Sequence, residues 1–185
     1  KRISLSAEQL KLTAKSSIGI PSVAEEIQIR HLVSQIELLE KQLSEIDKRI
    51  EEFSLKNNSP ILTIPGISHF SGTSIISELG DICNYTKASQ IIKFAGVAPY
   101  HYESSQFTAQ HTAITKKGSK YLRKTLYQII LPVISNNEVF YAYYTKKLNE
   151  GKGHRCAQGH CIRKLLRVIY HLLSTRQPFN PKLLV

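Results

Sequence analysis

Apolar residues recur along this 185-residue chain at spacings of three and four, the period of an amphipathic helix. The longest run contains Ile29, Leu32, Ile36, Leu39, Leu43, Ile46, Ile50 and Phe53, with Glu, Lys and Gln filling the flanks. That is an a/d seam of more than three heptads, the pattern of a coiled coil. Ser22 followed by Glu25 three residues on is a capping-box start, and Asn57, Asn58, Ser59 and Pro60 are a stop. So narrow a stripe on a solvated helix predicts pairing with a second helix. A dimer between chains comes ahead of a hairpin with a segment outside this sequence, because residues 1–60 offer no comparable partner helix. Residues 1–20 show no sustained period, and Gly19 and Pro21 punctuate them.

After Pro60 the helices are shorter. LTIPGISHFSGTSIISELGD, residues 62–81, reads as a Pro65-Gly66 turn leading into a helix closed by Gly80. The segment has the form of a helix-hairpin-helix element, whose turn holds phosphate on backbone N–H groups. Ser68 stands where that motif usually has a second glycine, and a plain packing unit explains the same letters. Thr86 to Ala95 predicts a helix burying Ile91, Ile92 and Phe94. Ser119 caps another, with Leu122, Leu126, Ile129, Ile130 and Val133 inward, broken at Asn136-Asn137. An aromatic helix with Phe140, Tyr141, Tyr143, Tyr144 and Leu148 ends before Gly151. A last helix, from about His154 to Thr175, buries Ile162, Leu165, Leu166, Ile169, Leu172 and Leu173. The fold class is therefore mainly α: an N-terminal segment (1–21), a coiled-coil dimerisation helix (22–58) and a compact helical domain (59–185) with the helix-hairpin-helix-like element.

Charge changes this picture. The chain has 25 Lys+Arg against 14 Asp+Glu, net +11. Residues 1–103 carry 11 basic and 12 acidic side chains, whereas residues 104–185 carry 14 and 2. Solubility requires no such segregation, whereas a polyanionic partner does. Nucleic acid is favoured over a membrane surface, since no apolar run approaches the roughly 18 residues of a membrane span and no apolar core follows Lys1-Arg2 as in a signal peptide. Three cysteines do not make a disulfide framework, which points to a reducing compartment. A chain that begins at Lys1 and contains no Met reads as a piece of a longer protein.

Candidate chemistry concentrates between Gly96 and Tyr127. Ser104 and Ser105 lie on a polar segment between a Gly-Val-Ala-Pro turn and the Lys116-Lys117-Gly118-Ser119 break that opens a basic helix. Hydroxyls beside such a helix N-terminus suit attack on a phosphodiester. The helix's free N–H groups favour an anion there, and Lys116, Lys117, Lys120, Arg123 and Lys124 add charge. Two loop serines bonded only to their own backbone are the plainer reading. Carboxylates for two-metal chemistry are lacking, because the basic half has only Glu138 and Glu150. His154, Cys156, His160 and Cys161 are the one zinc-capable cluster, but their spacing fits core cysteines on a helix better than a metal site. Most of the tyrosines fall at helical spacing; Tyr100 and Tyr102, flanking His101, remain as alternatives, and His101 is a candidate proton acceptor.

The order of these pieces is specific: coiled coil, L-x-x-IPGI, E-x-GD, F-A-G-x-x-P followed five residues after Pro99 by Ser, K-x-G-S-x-x-L-R-x-x-L, and K-L-L-R-x-I-Y. From Leu62 to Pro178 the chain resembles the C-terminal domain of insertion-sequence transposases of the IS-one-ten family, relatives of the Piv DNA invertases. The resemblance implies a serine nucleophile at Ser104, with Ser105 as a second candidate because it replaces the family's glycine. The turn and the basic helix start point to DNA binding through Pro65, Gly66, Lys116, Lys117, Gly118, Ser119, Lys120, Arg123 and Lys124. The resemblance also implies a RuvC-like domain outside this chain that binds Mg2+, a guide (bridge) RNA, and the cytoplasm of a bacterium or archaeon. No cofactor is expected in the chain itself, which should bind DNA without cutting it. The competing function is a non-catalytic nucleic-acid-binding and dimerisation module, and the Ser105 departure is its best support.

Overall fold

Local capping chemistry sets where each helix starts and stops. The structure, a computed structural model, describes residues 6–19, 22–100, 103–104, 107–108 and 113–184. Helix α1 runs Ala7–Lys15, started by a reciprocal capping box in which Ser6 and Gln9 bond each other's backbone N–H. No sustained apolar period marks residues 1–20. The helix buries nothing, so it leaves no apolar stripe to find, and only the Ser-x-x-Gln spacing marks it.

Helix α2 spans Val23–Asn57. The Glu25 N–H donates to Ser22 Oγ at 3.4 Å, as the cap at Ser22 requires. The chain leaves the helix through Asn58 at φ +37°, a conformation Asn tolerates better than most residues. Its seam is open: Ile29, Leu32, Ile36, Leu39, Leu43, Ile46 and Phe53 are each 50–60% exposed. Residues up to 45 form one compact unit and residues 46–185 a second.

The second unit is a helical bundle. Its helices are α3 (His69–Leu79), α4 (Ala88–Phe94), α5 (Lys120–Asn136), α6 (Glu138–Asn149) and α7 (His154–Thr175), joined partly by 3-10 turns at Pro60–Thr63 and Ile82–Asn84. Helix α5 packs against α3, α6 and α7, while α4 and α6 also pack on α7. Ile61, Ile64, Ile75, Ile91, Leu122, Leu126, Ile130, Phe140, Ile162, Leu165, Leu166 and Ile169 are fully buried in one core. Each contributes about 1.5–3 kcal/mol by leaving water. The expected helix periods therefore mark the real core, and Asn137 both ends α5 and caps α6 through its side-chain oxygen. At the N-terminal edge of the unit the Ser54 hydroxyl, 4% exposed, is hydrogen-bonded to His69 Nδ1 at 3.0 Å, joining the end of α2 to the start of α3.

Between α4 and α5 the chain is not a simple loop. The N–H groups of Tyr100, Thr115, Lys116 and Ser119 donate to the carbonyls of Ala113, Ala98, Gly96 and Phe94 at 2.7–3.0 Å. Pro99 and Ile114 bridge antiparallel. Strands β1 (Glu103–Ser104) and β2 (Phe107–Thr108) then pair Glu103 with Thr108 and Ser104 with Phe107. Two-residue strands carry too little alternation to be read from sequence, and Pro99 and Gly96 argue locally for a turn.

Gly118 makes the base of this hairpin possible. It sits at φ +124°, and a Cβ there would lie 2.1 Å from the Phe94 carbonyl oxygen, a rigid backbone atom. Gly118→Ala therefore forces the hairpin base apart. The substitution is expected to cost about 3 kcal/mol or more, several degrees in the thermal midpoint followed by circular dichroism. An unchanged midpoint would contradict the close approach.

Candidate functional site: the hairpin and the basic helix terminus

The site is built on the hairpin base. Ser119 is the N-cap of α5: its Oγ accepts from the Leu122 N–H at 3.0 Å and donates to Glu78 Oε2 on α3 at 2.6 Å. A hydroxyl so held cannot rotate away from its cap, and a charge-assisted bond of this length is among the stronger ones. The Arg123 Nη1 donates to the carbonyls of Ala95 and Lys116, both at 3.2 Å. Arg163, in the body of α7, reaches the Val97 carbonyl at 3.4 Å, and burial pulls its pKa below the ordinary guanidinium value. Arg123 thus ties the two arms together at the hairpin base, and Arg163 fastens the first arm to α7.

The basic residues divide by role. Lys116, Lys117, Lys120 and Lys124 are exposed, and Lys116 takes φ +54° at the turn. The Lys120 ammonium lies 5.0 Å from the centre of the Tyr121 ring. These lysines form a cationic rim around the first turn of α5, whose N–H groups are the natural seat of an anion. Arg123 is half-buried and spends one nitrogen on the backbone, so it organises the turn as well as adding charge. Glu78 and Arg163 are the site residues that sequence reasoning missed as partners of this turn. The signal for Glu78 was its place in the E-x-GD motif; for Arg163 there was none, because its partner is a backbone carbonyl.

Ser104 lies on β1, paired with Phe107, rather than on the irregular backbone expected. That pairing and the pairing of Pro99 with Ile114, nearer the basic turn, are separate stretches of the described backbone. Ser105, His101 and Tyr102 lie outside the described residues.

At the other expected phosphate contact, Pro65 is exposed and Gly66 half-buried. Gly66 has φ +93°, and a Cβ there would meet the backbone of Pro132 and Val133 at 2.7 Å. The turn is seated on α5, at the point where Pro132 interrupts the helix's own hydrogen bonding. The N-terminal partner of α3 in this element is the 3-10 turn Pro60–Thr63.

No group of three or more His, Cys, Asp or Glu among the described residues is placed to hold a metal. His154 Nδ1 is hydrogen-bonded to the Tyr144 hydroxyl at 2.8 Å. Cys161 is fully buried, and burial pushes its thiol up to about 11, the opposite of what a metal-ligating thiolate needs. The Glu150 carboxylate receives both bonds of the Lys147 ammonium at 2.9 Å, which lowers its pKa. No described helix is long and apolar enough to cross a membrane.

Residues 58–145 match the model of the transposase IS116/IS110/IS902 family. The chain is 25% identical over 156 residues to the pilin gene-inverting protein of Moraxella lacunata, covering 84% of this chain and 48% of that protein. It is 24% identical over 159 residues to the IS900 insertion-element 42 kDa protein of Mycobacterium paratuberculosis (83% and 39%). To the mini-circle putative transposase for IS117 of Streptomyces coelicolor it is 25% identical over 121 residues (65% and 29%). The chain spans less than half the length of these curated relatives. The matched region takes in α3, α4, the whole hairpin, α5 and part of α6.

Proposed function

We propose, since residues 58–145 place this chain in the transposase IS116/IS110/IS902 family, that it supplies the nucleophilic serine and part of the DNA-holding surface of a transposase or recombinase. The observation that carries the reading is the family match, which spans the hairpin bearing Ser104 and the lysine-rimmed terminus of α5. In the reaction Ser104 Oγ attacks the phosphorus of a DNA phosphodiester and loses its proton. The bond from phosphorus to one deoxyribose oxygen breaks, and that oxygen leaves protonated. The phosphoserine ester conserves the bond energy for the return attack by another strand's hydroxyl, splitting one hard step into two. Lys116, Lys117, Lys120 and Lys124 neutralise backbone phosphates without reading sequence, with Gly118, Ser119 and Arg123 shaping their turn. The exposed Pro65 of the turn on α5 adds a non-specific contact.

The described residues do not fit a magnesium site, since Glu78 is bonded to Ser119 and Glu150 to Lys147. We assign the carboxylates of the family's metal chemistry to a further domain of the complete protein, and target choice to a guide RNA bound by the assembly. The open a/d seam of α2 is assigned to a second copy of this chain. Seven seam residues at least half exposed are more than a lone helix keeps in water without a partner. Sedimentation should report a dimer that Leu39→Asp/Leu43→Asp converts to monomer; a native monomer would remove this part of the reading.

The direct genetic test is Ser104→Ala in the complete protein. Strand exchange is expected to fall by about a thousandfold or more, as for loss of a covalent nucleophile, while DNA binding stays within about twofold. Undiminished exchange would instead favour a scaffold that binds nucleic acid without chemistry.

A further inference from the structure

A second feature of the basic half lies away from the hairpin. On α7, Lys164, Arg167, Val168, His171 and Leu172 recur at the spacing of one helix face and form one wall of a groove of about 620 Å³. Tyr143 of α6 stands beside them. The segment after α7 closes the other side with Gln177, Phe179 and Asn180. This segment is fixed in place: the Phe179 N–H donates to Thr63 Oγ1 at 2.7 Å, and the Phe179 ring packs against the core. The groove is therefore a formed concavity within one unit, and its volume falls in the range of sites that take a small organic group.

The lining has three chemical zones. Arg167 and His171 are exposed, and Lys164 stands with them, its ammonium 4.8 Å from the Tyr143 ring centre and 5.8 Å from that of Phe140. Among the described residues no carboxylate lines the groove. Val168, Leu172 and Phe179 give an apolar floor, and the amide residues Gln177 and Asn180 line the far side, with Asn180 Oδ1 accepting from the Lys182 N–H at 3.0 Å. A cationic edge, an apolar bed and amide groups in sequence match the parts of a nucleotide: phosphate, ring and hydrogen-bonding ring edge. A duplex, whose bases are stacked inward, offers only its phosphates to such a groove and leaves the bed unused.

We propose that this groove between α7, Tyr143 and the segment from Gln177 to Asn180 binds an unstacked nucleotide of a single-stranded nucleic acid, apart from the duplex contacts at the α5 terminus. The inference rests on the reading of the chain as a nucleic-acid-handling protein and adds a strand type and a place to it. An acidic, apolar peptide is the other chemistry the groove would accept. The chain's own charge segregation, 14 basic to 2 acidic side chains after residue 103, favours the polyanion.

The test uses the full chain and two fluorescent probes: a short oligothymidylate, which has no secondary structure, and a mixed-sequence duplex. Arg167→Ala/His171→Ala, at exposed positions, should weaken oligothymidylate binding about tenfold or more and leave duplex binding within about twofold. Lys120→Ala/Lys124→Ala should do the reverse. An abasic oligomer of the same length should bind the native chain more weakly than oligothymidylate. Unchanged oligothymidylate affinity in the first variant, with duplex binding still sensitive to the second, would overturn the groove and spare the proposed function. Stronger competition by an acidic leucine-containing peptide than by the oligonucleotide would overturn it in favour of a protein partner. A native chain that binds neither probe would overturn both readings.

Discussion

The close approach of Gly118 to the Phe94 carbonyl is the constraint on which the rest of the site depends. It lets the Ser119 N–H bond that same carbonyl at 2.7 Å, which locks the start of α5 to the end of α4. With that junction closed, Ser119 is positioned both to cap α5 and to donate to Glu78 on α3. The Arg123 guanidinium falls where the Ala95 and Lys116 carbonyls converge. Three helices thus meet at the foot of one hairpin. A residue held on a short paired strand, as Ser104 is, is easier to orient than one on a free loop.

The bundle behind the hairpin is conventional, and its conventionality explains why so much of it was legible. Helices α5 and α7 bury residues at strict three-and-four spacing, and their ends carry the expected Ser119, Asn137 and Pro178 signals. What remained hidden has two causes. Helix α1 buries nothing, so only a capping box marks it, and the hairpin's pairs are backbone bonds between segments too short to alternate. The clamps from Arg163 and Glu78 are hidden for the same reason, since their partners are a carbonyl and a cap hydroxyl far away in sequence. Gly66 was legible as a turn, yet its demanding contact is with the backbone of Pro132 and Val133, a tertiary fact that no local motif encodes. The residues of the candidate site could be named from the sequence, while the backbone pairing and tertiary contacts that carry them could not.

Charge gives the molecule its functional direction. The basic half has only two acidic side chains, Glu138 and Glu150, and Glu150 is paired with Lys147. The positive field therefore survives on the lysines at the α5 terminus and on the exposed face of α7. The seam of α2 lies exposed, and no metal-fitting cluster occurs among the described residues.

The central claim is that a serine on the hairpin becomes covalently joined to DNA. Mass spectrometry of the complete protein, incubated with magnesium, guide RNA and DNA bearing the cognate site, tests it most directly. The account predicts a nucleotide adduct on the peptide containing Ser104, with fragmentation placing it on Ser104 and no adduct after Ser104→Ala. Recombination that proceeds with no adduct on this chain, or with the adduct on a tyrosine, would contradict it.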